Sequence, residues 1–284
     1  MRSTHDAWAV GWFQRSSASA PRTLTYHWDG TSWSYRRSPD VGSSQDQLFG
    51  VTTGRAGTWA VGWGLSADGF VTEVQHLVGS KWQIVSSPNR GTGSNFLTGA
   101  ATASPTDVLA SGVADVGGGS SGYVAEWDGS SWKIPPSTIV PGVSFNAVAA
   151  GRGGRALAAG DGGARPKPFA EVRSRTGVWH GSRILVPKGE QGNLWGATWW
   201  GKNQALLVGQ VGPRSGARSS TLIVGWDGSR WTIENSPSPG SGYNQLFGTA
   251  STAGVSWAVG DAGSRRRQGT LVEENCPTTD TAGR

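Results

Sequence analysis

The sequence predicts an all-β fold: a β-propeller of four-stranded antiparallel blades, six in number, with five or seven as the alternatives. Three observations predict it. A glycine recurs as Gly11, Gly62, Gly112, Gly160, Gly209 and Gly260, at spacings of 51, 50, 48, 49 and 51. A tryptophan recurs as Trp33, Trp82, Trp132, Trp179 and Trp231. Between these markers the chain reads as four short strands punctuated by Gly, Ser, Asp or Pro. Four strands in a period near 50 residues are the signature of a propeller blade.

The clearest unit is Asp46–Pro88, with strands LFGVTT, TWAVGW, VTEVQHL and KWQIVSS. Each combines β-branched and aromatic residues with flanking turn formers, which is how strands and turns are read from sequence. With 45 Gly and only 36% hydrophobic residues, an aperiodic chain would be a candidate for disorder. Here the glycines fall at turns and inside inner strands, and 16 Trp supply much of the buried area. A single sheet of this size cannot bury a core alone, so its faces need neighbouring sheets to cover them.

In chain order, the first segment (7–39) supplies three strands, AWAVGW, TLTYHW and SWSYRRS. Four-stranded units follow at 46–88, 95–136, 144–187 and 193–237, of which 144–187 departs most from the pattern. The last segment, 245–275, again supplies three strands. One propeller domain spans 1–276, and 277–284 reads as a disordered tail. The count is two strands short of six blades. The expectation is therefore an N-terminal truncation that also removed a secretion signal, for a secreted or cell-surface protein. Asp29-Gly30, Asp128-Gly129 and Asp227-Gly228 join third to fourth strands, and read as two-residue hairpin turns with both residues at positive φ.

The repeat resembles the kelch type in its length, its inner strand (LFGVTT), its glycine-ended second strand (WAVG) and its Trp after the third-strand turn (GSKW, DGSSW). It departs from kelch in having a single Gly where a double glycine is usual. It is also similar to secreted bacterial proteins with repeated AVG and WDG motifs. The resemblance implies a propeller scaffold and identifies no ligand.

Composition excludes several functions. No run of 18 apolar residues exists, so no membrane-spanning segment is expected. The lone Cys276 excludes an internal disulfide and a Cys-based metal cluster. In a lost upstream strand, a second Cys would pair with it. The net charge of +6 permits an acidic partner. Nucleic acid would need the Arg residues to form one continuous stripe, and it is not the expected partner. No cofactor, metal site or catalytic residue is assigned, and the oligomeric state is left open.

Strand alternation puts the variable 2–3 loops and the 4–1 linkers on one face, called upper here, where binding is expected. Several of these loops are basic, with Arg15, Arg22, Arg165, Lys167, Arg214, Arg218 and the run Arg265, Arg266 and Arg267. At the entry to the inner strands stand Asp46, Gln47, Asn95, Asn193, Asn244 and Gln245. Amides there suit sugar hydroxyls, or else cap strand ends. Trp12 and Trp63 follow the second-strand glycine and offer rings for stacking, or else pack between blades. The expected function is a non-enzymatic module or scaffold that binds a glycan or protein on this face, more an interaction protein than an enzyme. The alternative is a carbohydrate-active hydrolase or lyase with its site in the central funnel, which needs paired carboxylates.

Overall fold

In the computed structural model, which describes residues 3–275 apart from 43, 217, 253–254 and 265–266, the chain has a six-bladed β-propeller fold. Among the described residues 23 strands make six antiparallel sheets. The first holds β1 (Ala7–Phe13), β2 (Arg22–Trp28) and β3 (Trp33–Arg36). The second holds β4 (Asp46–Gly54), β5 (Gly57–Ser66), β6 (Gly69–Val78) and β7 (Lys81–Ile84). The third comprises β8 (Asn95–Ser104), β9 (Asp107–Val116), β10 (Gly119–Trp127), β11 (Trp132–Lys133) and β12 (Val140–Pro141). In the fourth are β13 (Val143–Ala150), β14 (Ala156–Gly162), β15 (Lys167–Arg173) and β16 (Trp179–Arg183). β17 (Glu190–Trp199), β18 (Ala205–Pro213), β19 (Ser220–Trp226) and β20 (Trp231–Glu234) form the fifth. The sixth has β21 (Tyr243–Thr252), β22 (Val255–Ser264) and β23 (Arg267–Asn275).

The first and last sheets have three strands, as expected from the sequence. The third departs from expectation. Pro135 and Pro136 cut its outer strand to two residues, because proline cannot donate to a ladder. A 3₁₀ turn (Pro136–Thr138) follows, and Val140–Pro141 completes the edge against Ser121 and Gly122. Thr138, fully buried, gives its hydroxyl to the Val124 carbonyl at 2.8 Å.

The chain divides into two compact units: Met1–Ala158 with Glu171–His180, and Ala159–Ala170 with Gly181–Arg284. In the first unit the core joins sheets two and three through Trp59, Val61, Val74, Leu97, Tyr123 and Trp132. Trp82 and Trp132 stand edge-on to a tryptophan of the preceding sheet, Trp8 on β1 at 5.2 Å and Trp59 on β5 at 5.5 Å. Trp33 holds the same place in sheet one, which no sheet precedes within its unit, and it is half exposed. The core of the second unit is Leu206, Val208, Ile223, Leu246 and Ala258.

The recurring glycine has a cause that only the register shows. In β4 pairing slips between Leu48 and Gly50, so Phe49 is an extra, bulged residue. The same slip occurs at Leu97/Gly99, Leu194/Gly196 and Leu246/Gly248. A side chain at Gly62, Gly112, Gly209 or Gly260 would put its Cβ under 3.0 Å from the carbonyl of Gln47, Phe96, Asn193 or Gln245 respectively. Gly11 lies on β1, the first strand of its sheet, and nothing lies within 4 Å of its would-be Cβ. Glycine after the bulge serves close approach of inner strands: a Cβ on Gly50 would lie 2.8 Å from the Ala100 nitrogen, and one on Gly196 3.1 Å from the Gly248 Cα.

A second repeated device holds the third strand to the 4–1 linker. Thr23 bonds Ser38 through its hydroxyl at 2.8 Å and gives its amide to Asp40 at 3.0 Å. Thr72 does the same with Ser87 and Asn89, and Thr221 with Ser236 and Ser238.

The WDG turns differ from the expected two-residue hairpin. Trp28 pairs with Trp33, so the loop has four residues. The Asp29 Oδ1 accepts the amides of Thr31 and Ser32 at 2.8 and 2.9 Å, and only then does Gly30 take φ +99°. Asp128 and Asp227 repeat the arrangement. These bonds hold the three carboxyls well below the usual carboxylate range, with side-chain donors leading in each case: Thr31, Lys133 and Ser229. Val78, by contrast, pairs with Lys81 across a true two-residue loop. Among the described residues no helix is long and apolar enough to cross a membrane.

Candidate functional site

The strand entries separate into two sets once register is known. Asp46, Asn95 and Asn244 are buried and close the turn that leads into their own strand. The Asn95 Oδ1 accepts the Arg90 amide at 2.7 Å, and the Asn244 Oδ1 accepts the Gly240 amide at 2.6 Å. The Asp46 carboxylate likewise accepts the Gly42 amide. Their polar atoms are held by backbone groups, with Arg22 also on Asp46, and the three side chains are withdrawn from solvent.

Gln47, Asn193 and Gln245 belong to the second set, one residue nearer the bulge, and each is partly exposed. They sit across from the residue that follows the recurring glycine: Gln47 from Trp63, Asn193 from Gln210 and Gln245 from Asp261. Phe96, opposite Val113, holds this place in sheet three.

In the first unit this niche is packed with rings. Trp63 meets Phe70 at 5.0 Å and Phe96 at 5.5 Å, both edge-on, and Phe70 lies 5.3 Å from Phe96. The bulged Phe49, half exposed, stacks on Trp63 at 6.3 Å. Trp63 is thus chiefly an inter-sheet packing residue. Trp12 in sheet one is exposed, across from Thr23.

In the second unit the same niche is open and polar. A cavity of about 180 Å³ is lined by Gln191, Asn193, Gln210, Arg218, Tyr243 and Gln245. The Gln245 Nε2 donates to the Gln210 Oε1 at 2.9 Å, and the Gln210 Nε2 faces the Asn193 Oδ1 at 3.5 Å. Three linked amides therefore keep donors and acceptors available at both ends of the chain, a pattern suited to polyols. Beside Gln245, Asp261 accepts from the Gln268 Nε2 at 2.6 Å through one oxygen, while the other is buried without a hydrogen bond. Asp161 follows Gly160 at the equivalent place in sheet four.

The basic loops contribute unequally. Arg15, Arg165, Arg214, Arg218 and Arg267 are exposed. Arg22 is held between Asp40 and Asp46 at 3.5 and 3.4 Å, and the Lys167 Nζ bonds the Glu190 carbonyl. Arg265, Arg266 and Cys276 lie outside the described residues.

Glu73 and Glu171 are buried acids beyond the strand-entry residues. Burial pushes Glu73 up to about 8, against a hydrogen bond from Gln75 and aided by the charges of Asp46 and Asp40. Burial also raises Asp46, and it raises Glu171 to about 7. Glu73 and Asp46 are fully buried, so neither can meet a ligand directly. A larger cavity of about 550 Å³ includes Glu234, Glu273 and Glu274. Its walls, however, include the core residues Leu206, Ile223 and Ala258 beside β23, the edge of the three-stranded last sheet. It is a packing gap at a sheet edge. Among the described residues no group of three or more His, Cys, Asp or Glu could hold a metal ion.

No protein-family model matches the sequence, and comparison with curated proteins gives no match. Among solved structures, Trypanosoma rangeli sialidase in complex with sialic acid matches with a TM-score of 0.59 and 11% identity, over 96% of this chain and 52% of that one. The sialidase alone matches at 0.58 and 12%, over 95% and 53%. A polysaccharide lyase, an ulvan lyase, matches at only 0.44 with 9% identity, over 97% and 65%. The chain thus spans about half the length of the sialidase. At this identity the likeness establishes the fold. The expectation of a non-enzymatic binding or scaffold module is corrected by these neighbours, since both structures named above with a TM-score over 0.5 are of a sialidase.

Proposed function

We propose that the chain is the propeller of a carbohydrate-active enzyme, a hydrolase or lyase, whose sugar-binding site is the amide-lined cavity of the second unit. The observation that carries this reading is the contrast between equivalent niches. Trp63, Phe70 and Phe96 close one, while Asn193, Gln210 and Gln245 line an open cavity in the other. Side-chain amides that both donate and accept match the paired capacity of a hydroxyl. Tyr243 adds an aromatic wall, and Arg218 adds a cation suited to a sugar carboxylate.

Asp261 is the candidate acid–base group, standing across the ladder from Gln245 with its Oδ2 accepting from Gln268. Asp161 is the second carboxylate that such chemistry calls for. A secreted or cell-surface location suits an enzyme that meets polysaccharide outside the cell.

The test is incubation with neutral, uronate-containing and sialylated oligosaccharides, with products resolved by chromatography. Shortened saccharides are expected, with water added by a hydrolase or a new carbon–carbon double bond left by a lyase. Asp261→Asn and Asp161→Asn should each abolish product while retaining saccharide binding. Turnover undiminished in either variant would remove that residue from the chemistry, and absence of both binding and product would refute the reading.

A further inference from the structure

From the aromatic pair Trp195–Phe247 we infer a second sugar subsite that continues the amide-lined cavity, so that the ligand is a saccharide of at least two rings. This rests on the carbohydrate reading above. Trp195 follows Asn193 by two residues on β17, and Phe247 follows Gln245 by two on β21. Two residues along a strand advance about 6.6 Å and restore the same face. Each aromatic therefore stands one side-chain step beyond an amide that lines the cavity.

Both are the extra residue of a β-bulge, the device that re-aims a side chain out of the regular ladder. Their rings meet at 5.3 Å with a tilt of 37°, and Phe247 is 47% exposed on an innermost strand. A half-exposed phenylalanine beside a polar cavity costs hydration and contributes little to the core.

A sugar ring explains the combination. Its C–H face lies on an aromatic ring, while its hydroxyl rim takes hydrogen bonds from neighbouring amides. A protein partner fits poorly. The exposed parts of two rings amount to on the order of 100–200 Å², far below the roughly 800 Å² per side of a stable protein interface. Phe49 supplies an internal comparison. It is the same bulge residue in the first unit, similarly exposed, but it adjoins the niche closed by Trp63 and Phe96. The inferred subsite needs both the ring and the open cavity, and among the described residues only the second unit combines them.

The experiment measures binding by titration calorimetry for galactose, glucuronic acid and N-acetylglucosamine, and for their di- and trisaccharides. The unmodified chain is compared with Phe247→Ala, Trp195→Ala and Phe49→Ala. The disaccharide should bind more tightly than its monosaccharide to the unmodified chain. Phe247→Ala should weaken the disaccharide about tenfold, the loss of one stacked ring, and leave the monosaccharide unchanged. Trp195→Ala should act in the same direction, and Phe49→Ala should change neither.

Equal losses for mono- and disaccharide would indicate a merely structural role and overturn the inference. So would a Phe247→Ala chain that keeps the disaccharide advantage, even if products still form and the carbohydrate reading stands. Should no saccharide bind the unmodified chain, both proposals fall together.

Discussion

Replacing Gly62 and Gly11 by alanine tests the account of the repeated glycine, because one motif should give opposite results at its two sites. At Gly62 the new methyl would lie under 3.0 Å from the Gln47 carbonyl, a backbone atom in a paired strand that cannot rotate away. Restoring an ordinary separation of about 3.5 Å displaces the inner strand by at least about 0.5 Å. That movement acts on the bulge and on the contact between Gly50 and the neighbouring inner strand. Overpacking of this kind costs about 1–3 kcal/mol where side chains can yield, and the absence of a flexible neighbour puts Gly62→Ala at the upper end. At Gly11 nothing lies within 4 Å, and glycine in a strand is itself worth about 0.5–1 kcal/mol less than alanine. Gly11→Ala should therefore be neutral or slightly stabilising. Both sites lie in the first unit, so the same transition reports them. Calorimetric melting should place Gly62→Ala roughly 6–12 °C below the unmodified chain, with Gly11→Ala at or above it. Equal effects at the two sites would refute the bulge argument.

Two further outcomes follow from buried charge. Because the folded chain holds Glu73 up to about 8 against its ordinary value of 4.5, it binds a proton there that the unfolded chain releases between those values. Its contribution to stability is full below about pH 4.5 and falls as pH rises toward 8, by at most about 1.4 kcal/mol per unit. Melting temperature should decline over that window, and Glu73→Gln should flatten the decline; an identical slope in the variant would exclude Glu73 as its source. Arg173, buried, donates to Asp107, Glu126 and the Gly154 carbonyl and lies 5.8 Å from the Trp179 ring centroid. Arg173→Met should cost about 2–4 kcal/mol in urea unfolding, somewhat discounted because both acids keep partial access to water; a loss under about 1 kcal/mol would show the cluster to be incidental.

Much of the architecture is legible in the repeat. Spacing of Gly62, Gly112, Gly209 and Gly260 locates the second strands, and the Trp series locates the fourth, because each blade must solve the same packing problem. The histidines of β2 and β6 follow the same repeat: His76 stacks on Trp59 at 4.0 Å and bonds the Ala56 carbonyl, and His27 lies on Trp8 and bonds Asp6. Less of the site is legible. Asn193 reads as a strand-entry residue like Asp46 and Asn95, yet it belongs with Gln47 and Gln245, one residue on. A shift of one residue in a strand exchanges buried for exposed, and no feature of composition reports it. The aromatic in LFG, LWG and LFG at Phe49, Trp195 and Phe247 was the available signal, since an aromatic between a core Leu and a Gly breaks strict alternation.

Fold class and strand order are written in the sequence, because both follow from local chemistry repeated with a period. Tertiary structure decided which members of the repeat carry a site. The niche beside the recurring glycine has the same backbone in both units, and its content depends on side chains from successive sheets, some fifty residues apart. Where those are Trp63, Phe70 and Phe96 their rings pack together and fill it; where they are Asn193, Gln210 and Gln245 they leave a polar cavity. Burial and openness depend on which residues from separate sheets meet at one place, and adjacency in space is not written in the order of the chain.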